Sequence, residues 1–326
     1  MFNRKSLSLS VASCALGIVA ISWAQEPVDL YSNLRQLFHQ IENKEVVSVS
    51  ISNAQIDSLM KQADPEQLLI FFEPCIANTN VAVRSQALGF ALKVAELHPS
   101  RSVRERIVDN LISGLLSETI TARSLRWKYG KFLLRFTAND FSDISKTAII
   151  QALQADNPSK ELVLVCGVAQ ITQTLPRLAE FLFDEVAYSK EPNKKHFPKW
   201  YFTLGWRARL ARARMGVQED IEKCLAMVDT VTDVHTKATI LFHDVAYIRR
   251  PEAMEYLRKN FLSDARLSPT NPGMLGEPVS KYLMSILADC LINFPIKKKE
   301  ARNYTEQEID LCRKWIAEQT KWDIIR

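Results

Sequence analysis

The residues in this sequence best suited to contact a ligand are cations and aromatic rings between Lys194 and Arg214. They are Lys194, Lys195, His196, Lys199, Trp200, Trp206, Arg207, Arg209, Arg212 and Arg214. Cations attract anions over long range and indole rings offer large contact surfaces, so this mixture favours a groove for an acidic peptide, a glycan or a nucleic acid. A smaller cluster of the same kind consists of Arg126, Trp127, Lys128, Tyr129 and Lys131.

Helical spacing divides the larger cluster between two faces. An apolar stripe recurs every three or four residues, which predicts that the stripe is buried and that the arginines occupy the remaining arc. The stripe consists of Tyr201, Leu204, Ala208, Ala211 and Met215. A solvated face, with the arginines paired to nearby carboxylates, is the interpretation we favour for this helix, and the ligand groove is the alternative. Those carboxylates belong to Asp184, Glu185, Glu219 and Asp220.

A second candidate ligand segment is the loop from Arg266 to Pro278, which is rich in glycine and proline. Loops of this length between helices usually have a function or are mobile. Met274 and Leu275 at its centre are apolar, so we expect the loop to pack across the helices and present these two side chains. Lys281, in the first turn after the loop, would add a positive charge beside them unless it is simply solvated.

No set of residues points to catalysis or to a bound cofactor. The sequence contains no Gly-x-Ser-x-Gly, phosphate-loop, His-Glu-x-x-His or dinucleotide-binding motif. His235 and His243 would be about 12 Å apart along one helix, too far to share a metal ion. We therefore expect no catalytic residue, no metal site and no cofactor. An enzyme whose site lacks local motifs stays an alternative.

The overall charge is mild, which makes nucleic acid the least favoured partner. The 326 residues include 42 basic and 37 acidic side chains, giving a formal net charge of +5. Domains dedicated to nucleic acid are more basic than this. The chain has only nine glycines, which argues against phosphate loops and many-stranded β folds.

Residues 1–24 have the features of a cleaved signal peptide. Two basic residues precede an apolar stretch from about Leu7 to Trp23, and Ser22 and Ala24 supply the small side chains of a cleavage site. A membrane anchor is one alternative, although the stretch is short and interrupted by serines. A lipobox-like sequence ending at Cys14 leaves lipoprotein anchoring as another. We expect export to the periplasm or medium, with no transmembrane helix in the mature chain.

Export would expose the cysteines to oxidising conditions. Removing Cys14 leaves five cysteines, an odd number, so at least one thiol has no partner within the chain. Cys290 and Cys312 lie on successive predicted helices and could pair. Two buried free thiols are the favoured alternative.

Amphipathic helical patterns recur in pairs along the rest of the chain. Residues 25–63 are a predicted helical cap and linker, and residues 64–326 contain about six pairs and a final capping helix. Asp64-Pro65 and Asn157-Pro158 each suit a helix start. The second helices are predicted to begin near Asn80, Thr119, Pro158, Pro198, Asp233 and Pro278, at steps of 39, 39, 40, 35 and 45 residues. Neither helix of a pair could bury its stripe alone, so successive pairs should stack.

This pattern resembles the HEAT-repeat family, including its short bacterial members. The resemblance rests on Asn80-Val81-Ala82-Val83-Arg84-x-x-Ala87, with weaker support from residues 175–182 and 250–257, and it covers about residues 64–294. It implies an all-α fold, an α-solenoid of about six helical hairpins whose second helices line a concave face. It also implies a structural role for Arg84 and Arg123, bonded to carboxylates or carbonyls between repeats.

HEAT-like proteins are mostly scaffolds and binding platforms. The resemblance therefore implies an exported, non-catalytic protein that holds a protein or peptide partner on its concave face. An inhibitor or immunity-type factor that neutralises a secreted enzyme is one alternative, and a helical envelope enzyme is another. The candidate binding residues are Lys199, Trp200, Trp206, Arg207, Met274, Leu275 and Lys281. In a stack these residues would lie on one side within roughly 20 Å, because packed helices are about 8–10 Å apart.

The signal-peptide hypothesis predicts a mature chain that begins near Gln25. Exported protein should give that residue as its amino terminus on sequencing or intact-mass analysis. A retained Met1 would contradict cleavage, and a lipid on Cys14 would show the lipoprotein route instead.

Overall fold

The computed structural model describes residues 30–43, 54–117, 123–183, 198–268, 276–299 and 302–325. Every regular element in these ranges is helical and none is a β-strand, which confirms the predicted all-α class. The predicted signal peptide lies outside the described residues, as do Met274 and Leu275 at the centre of the predicted loop.

The helices are numbered here in chain order within the described residues. They are α1 (Leu30–Glu42), α2 (Ala54–Gln62), α3 (Pro65–Ile76), α4 (Val81–Leu97), α5 (Arg101–Ser117), α6 (Arg123–Leu133), α7 (Asp143–Leu153), α8 (Lys160–Val168), α9 (Leu175–Glu180), α10 (Leu204–Arg214), α11 (Gln218–Asp229), α12 (the consecutive segments Val234–Thr236, Lys237–Leu241 and Phe242–Ile248, the middle one a π-helix), α13 (Pro251–Leu262), α14 (Val279–Ala288) and α15 (Glu306–Glu318). None of them combines the length and hydropathy needed to cross a bilayer.

Each helix packs mainly against helices close to it in the chain. α3 and α4 contact each other and both contact α5, which in turn contacts α6 and α7. α6 and α7 contact α8, and α8 and α9 contact α10. The same order continues from α10 through α11, α12, α13 and α14 to α15. The fold is therefore assembled from contacts between sequence neighbours.

Side-chain caps begin several helices where the sequence predicted. The Asp64 carboxylate accepts a hydrogen bond from the Glu66 backbone N–H at 3.1 Å, and Pro65 occupies the first turn of α3. Thr305 and Glu308 form the capping box of α15. These side chains satisfy N–H groups that the first turn of a helix cannot pair internally.

The predicted start of α8 is wrong by two residues. The Ser159 hydroxyl, rather than the Asn157-Pro158 pair, accepts the Leu162 backbone N–H at 3.1 Å, and α8 begins at Lys160. Ser159 directly precedes the first helical residue with an extended backbone, so its hydroxyl reaches the N–H three residues ahead.

Arg84 bonds to carbonyls in the corner that precedes its helix. Its Nη1 donates to the carbonyl oxygens of Asn78 at 2.6 Å and Thr79 at 3.0 Å, in the loop just before its own helix α4. The guanidinium therefore fixes the corner between α3 and α4. The side chain of Arg123 lies outside the described part of the structure.

Buried apolar side chains form two adjoining clusters that meet at α10. One cluster extends from α1 to α10 and includes Ala208 and Ala211 of α10. The other extends from α10 to α15 and includes Trp206 and Leu210 of the same helix. Close approach of α8 to α10 depends on Gly167, where a Cβ would lie 2.8 Å from the Ala211 Cα. α10 is thus enclosed by packing on opposite sides.

The five cysteines in the described residues are all free thiols, and Cys290 and Cys312 do not pair. Both are buried. Burial raises the pKa of each to about 11, so neither thiol ionises readily near neutral pH. They behave as small apolar residues of the core.

Truncating a core leucine should show that the predicted apolar face of α4 is structural. Leu88 is fully buried, so Leu88→Ala should lower the free energy of unfolding by about 2–5 kcal/mol. Ile144→Ala is the matched control, because Ile144 is 78% exposed and should change stability by about 0.5 kcal/mol or less. Equal effects of the two substitutions in chemical denaturation would contradict this assignment.

Candidate functional site

The predicted ligand-binding helix is α10, together with the 3-10 turn Lys199–Phe202 that precedes it. The sequence predicts a helix that begins near Pro198, but α10 begins only at Leu204. The Thr203 hydroxyl accepts the Trp206 backbone N–H at 3.0 Å and its backbone is extended, which breaks the helix from the turn. The break lets the turn residue Trp200 lie beside Trp206, with ring centroids 4.4 Å apart.

Trp206 and Arg207 are internal residues, which corrects the expectation that they face a ligand. The Trp206 indole is fully buried, and its Nε1 donates to Asp244 Oδ2 at 2.8 Å. Arg207 Nη1 donates to the same oxygen at 2.9 Å, and its guanidinium lies 4.6 Å from the Tyr201 ring centroid. Both residues therefore join α10 to α12, and the partner they recognise is the protein's own Asp244.

Arg209 and Arg214 are also buried, which contradicts the predicted exposed arc of arginines. The cause is that helices pack on both sides of α10, so no complete face of it remains solvated. Arg214 Nη1 donates to the Tyr247 carbonyl oxygen at 2.6 Å. Burial lowers the pKa of Arg214 to about 10, although the nearby Tyr247 acts in the opposite direction.

Two arginines of α10 share one carboxylate of α11. Arg209 Nη1 donates to Asp220 Oδ1 at 2.7 Å, and Arg212 Nε donates to Asp220 Oδ2 at 2.6 Å. The side chains of Arg209, Asp220 and Arg212 are 5%, 2% and 16% exposed. We call these residues the ion triad. Water contributes little screening of the charges in this position.

The ion triad is the floor of a groove between α9 and α11. This Trp200 groove has a volume of about 500 Å³. Its lining residues are Ala179, Leu182, Phe183, Trp200, Arg209, Arg212, Glu219, Asp220, Lys223 and Met227. Apolar side chains from α9, the Trp200 turn and α11 form its walls, while charged side chains form its floor and rim.

The other predicted binding residues do not line this groove. Lys199 is half-buried on the same turn as Trp200. Lys281 donates from Nζ to Glu277 Oε1 at 3.3 Å in an exposed pair. The ends of the predicted loop are joined by a backbone hydrogen bond of 2.8 Å from Leu267 N to the Glu277 carbonyl. Of the seven candidate binding residues, the structure describes five, and of these only Trp200 lines the groove, together with Arg209 and Arg212 of the wider cationic cluster.

The sequence pattern does not reveal the apolar lining of the groove. It marks Asp220 only as a counter-ion and gives no special place to Leu182, Phe183 or Met227. No local motif marks these residues, because they come from different helical pairs. The one feature of the sequence that could indicate the groove is Phe183, a large apolar residue close to the end of its predicted helix.

Two further concavities lie in the described part of the structure. The larger, about 750 Å³, lies between α1 and α3 and is lined by Tyr31, Phe38 and Phe71 among others. Its charged lining residues Arg35 and Glu42 are exposed. The smaller, about 400 Å³, has Arg84 and Tyr129 in its lining. The Trp200 groove differs from both in having the ion triad in its lining.

No set of three or more His, Cys, Asp or Glu side chains in the described ranges is placed to hold a metal ion. Comparison of the chain with family models, curated proteins and solved structures gives no match. The function is therefore inferred from the geometry of the groove.

Removing Asp244 should destabilise the fold, because it would leave Trp206 Nε1 and the Arg207 charge without their acceptor. We expect Asp244→Ala to lower the free energy of unfolding by about 3–5 kcal/mol, as loss of one member of a buried ion pair does. The matched control is Asp289→Ala, since the Asp289–Lys298 pair is exposed and such pairs contribute about 0–1 kcal/mol. Chemical denaturation that gave the same loss for both variants would contradict an internal role for Asp244.

Proposed function

We propose that this chain is an exported, non-catalytic binding protein that holds a protein or peptide partner, built as a HEAT-like α-solenoid. The export proposal is supported by the charged start, apolar stretch and small residues of positions 1–24. The solenoid proposal is supported by helices that contact their sequence neighbours in order from α3 to α15.

The observation that carries the binding proposal is the Trp200 groove. Binding sites combine a mostly apolar concavity with a few fixed polar groups, in volumes of about 300–1,000 Å³. The groove has apolar walls, including Leu182 and Met227, above the ion triad, and its volume is about 500 Å³. We propose that a ligand contacts both the apolar walls and the arginine side chains held at the floor of the groove.

The ion triad makes the groove rigid before any ligand arrives. Each oxygen of Asp220 accepts from a different arginine, and Arg212 Nη1 also donates to the Leu175 carbonyl oxygen at 3.1 Å. These bonds hold the guanidiniums of α10 between α9 and α11. A fixed site loses little side-chain entropy on binding, which favours affinity.

The groove lies between α9 and α11, the first helices of the fourth and fifth predicted pairs. The HEAT resemblance instead implied a ligand on the second helices, along a concave face. We therefore place the principal contact with the partner at the Trp200 groove and its exposed neighbour Phe183.

Site-specific photocrosslinking can locate the partner. Lys223 lines the groove, whereas its neighbour Glu222 is also exposed on α11 but does not line it. A photoreactive amino acid at position 223 should crosslink one partner in envelope extract, and the same amino acid at position 222 should not. The captured protein is then purified and titrated against the unmodified chain by calorimetry.

Saturable binding of the purified partner, weakened when Ala179→Trp fills the groove, would support the proposal. If the captured protein is an enzyme and this chain inhibits it, the inhibitor alternative is supported. If this chain converts the captured molecule chemically, the enzyme alternative is supported. Equal crosslinking from positions 222 and 223, or no binding by the purified partner, would overturn a groove-based function.

A further inference from the structure

We propose that α6 carries a second binding surface, which recognises an acidic peptide segment through Trp127 and Lys131. We call Trp127, Lys128 and Lys131 the Trp127 surface. These residues belong to the smaller of the two cationic and aromatic clusters in the sequence. The Trp200 groove contains no residue of α6, so this surface adds a contact that the proposed function does not include.

Trp127 presents an accessible indole, unlike Trp206 of the larger cluster. It is 52% exposed, whereas Trp206 is fully buried and each of the other described tryptophans is at most partly exposed. α6 buries Leu125 and Leu133, while Trp127 and Lys131, one turn apart, both face solvent. Tryptophan is the kind of side chain that anchors protein partners, because covering its large ring removes much apolar surface from water.

The helix that carries this indole is packed closely against two neighbours. The Tyr129 ring lies against Gly114 of α5 and leaves no room there for a Cβ. Glu161 of α8 lies in the same way against Gly130 of α6. Trp127 is therefore held on a fixed element, and a fixed surface loses little conformational entropy when it binds.

Lys131 places a positive charge over the indole. Its Nζ lies 4.9 Å from the centroid of the Trp127 ring. Lys128 Nζ donates to the hydroxyl of Ser85 on α4, which is a neutral group. Neither lysine forms an ion pair with a described carboxylate, including that of the adjacent Glu161. An anion can therefore contact Lys131 without displacing an internal ion pair.

The ligand that complements this surface joins carboxylates to an apolar side chain. A lysine ammonium stays charged at neutral pH and makes strong hydrogen bonds to carboxylates, while the indole face provides contact area for an aromatic ring. Neighbouring residues of one peptide have Cα atoms about 3.8 Å apart, so their side chains can reach the ring and the ammonium together. An acidic segment with an aromatic residue beside its carboxylates meets both requirements.

Fluorine NMR of the mature chain labelled with fluorotryptophan can observe this contact directly. The Trp127 resonance is identified as the one that Trp127→Phe removes. Three acetylated and amidated hexapeptides are then titrated. The first contains Asp-Phe-Asp among glycines and serines, the second has asparagine in place of both aspartates, and the third has glycine in place of the phenylalanine.

We expect the first peptide to shift the Trp127 resonance saturably and to leave the resonance of Trp315, on α15, unchanged. The asparagine peptide should bind at least about ten-fold more weakly, because it lacks charge-assisted hydrogen bonds. The glycine peptide should also bind more weakly, because it lacks the aromatic contact. The affinity of the first peptide should fall as salt rises, because exposed charges are screened.

Lys131→Gln tests the cation, and Lys314→Gln is its matched control. Both lysines are exposed on helices and neither forms an ion pair with the described residues, so each substitution removes one charge without breaking a structural pair. The affinity for the first peptide should fall about ten-fold in Lys131→Gln and stay unchanged in Lys314→Gln. Circular dichroism and thermal unfolding verify that both variants are folded.

Absence of a saturable shift of the Trp127 resonance, or equal affinities for the aspartate and asparagine peptides, would overturn the proposal. Equal losses in folded Lys131→Gln and Lys314→Gln would also overturn it. A shift with phosphatidylglycerol vesicles and with none of the peptides would replace the acidic peptide by an anionic lipid surface. None of these outcomes bears on the Trp200 groove, which the crosslinking comparison of positions 222 and 223 tests separately.

Discussion

The constraint on which much of this structure depends is the burial of arginine side chains on α10. A guanidinium stays charged inside a protein, and an unpaired buried charge is costly. Arg207 is satisfied by Asp244 of α12, Arg209 by Asp220 of α11, and Arg214 by the carbonyl oxygen of Tyr247. Each acceptor is on a neighbouring helix, so satisfying the charges of α10 also sets the positions of α11 and α12.

A second set of bonds connects the carboxyl ends of α8, α10 and α12. Gln170 Nε2 donates to the Arg214 carbonyl oxygen at 3.1 Å, and Arg250 Nη2 donates to the same oxygen at 2.7 Å. The Arg214 side chain in turn reaches the Tyr247 carbonyl at the end of α12. Helix carboxyl ends carry unpaired carbonyls and partial negative charge, so cationic and amide donors stabilise them. These helix ends are therefore held together by polar bonds as well as by the apolar core.

The residues that make some of these structural bonds also line the Trp200 groove. Asp220 joins α10 to α11 by accepting from both Arg209 and Arg212, and Arg212 is the more exposed of the two arginines. This ion triad lies beside apolar side chains such as Leu182 and Met227. A site of this kind orients a ligand by charge and gains contact area from its walls.

The sequence by itself determined the helical class, several caps and much of the core. Apolar spacing marked Ala208 and Ala211 as buried, and Asp64-Pro65 marked a helix start, because these features depend on residues within one or two turns. It also located the cationic and aromatic segment that contains Trp200. The HEAT resemblance and the signal peptide stay predictions from sequence patterns alone.

Only the tertiary structure decided which of these cations and rings are accessible. Trp206 and Arg209 lie on a helix that is covered from opposite sides, and a helical pattern cannot show how many neighbours a helix will have. The groove itself joins Leu182 to Met227, residues 45 positions apart in the chain whose proximity depends on how α9 and α11 pack around α10. Local spacing therefore predicts the elements, whereas burial and the candidate site arise from contacts between them.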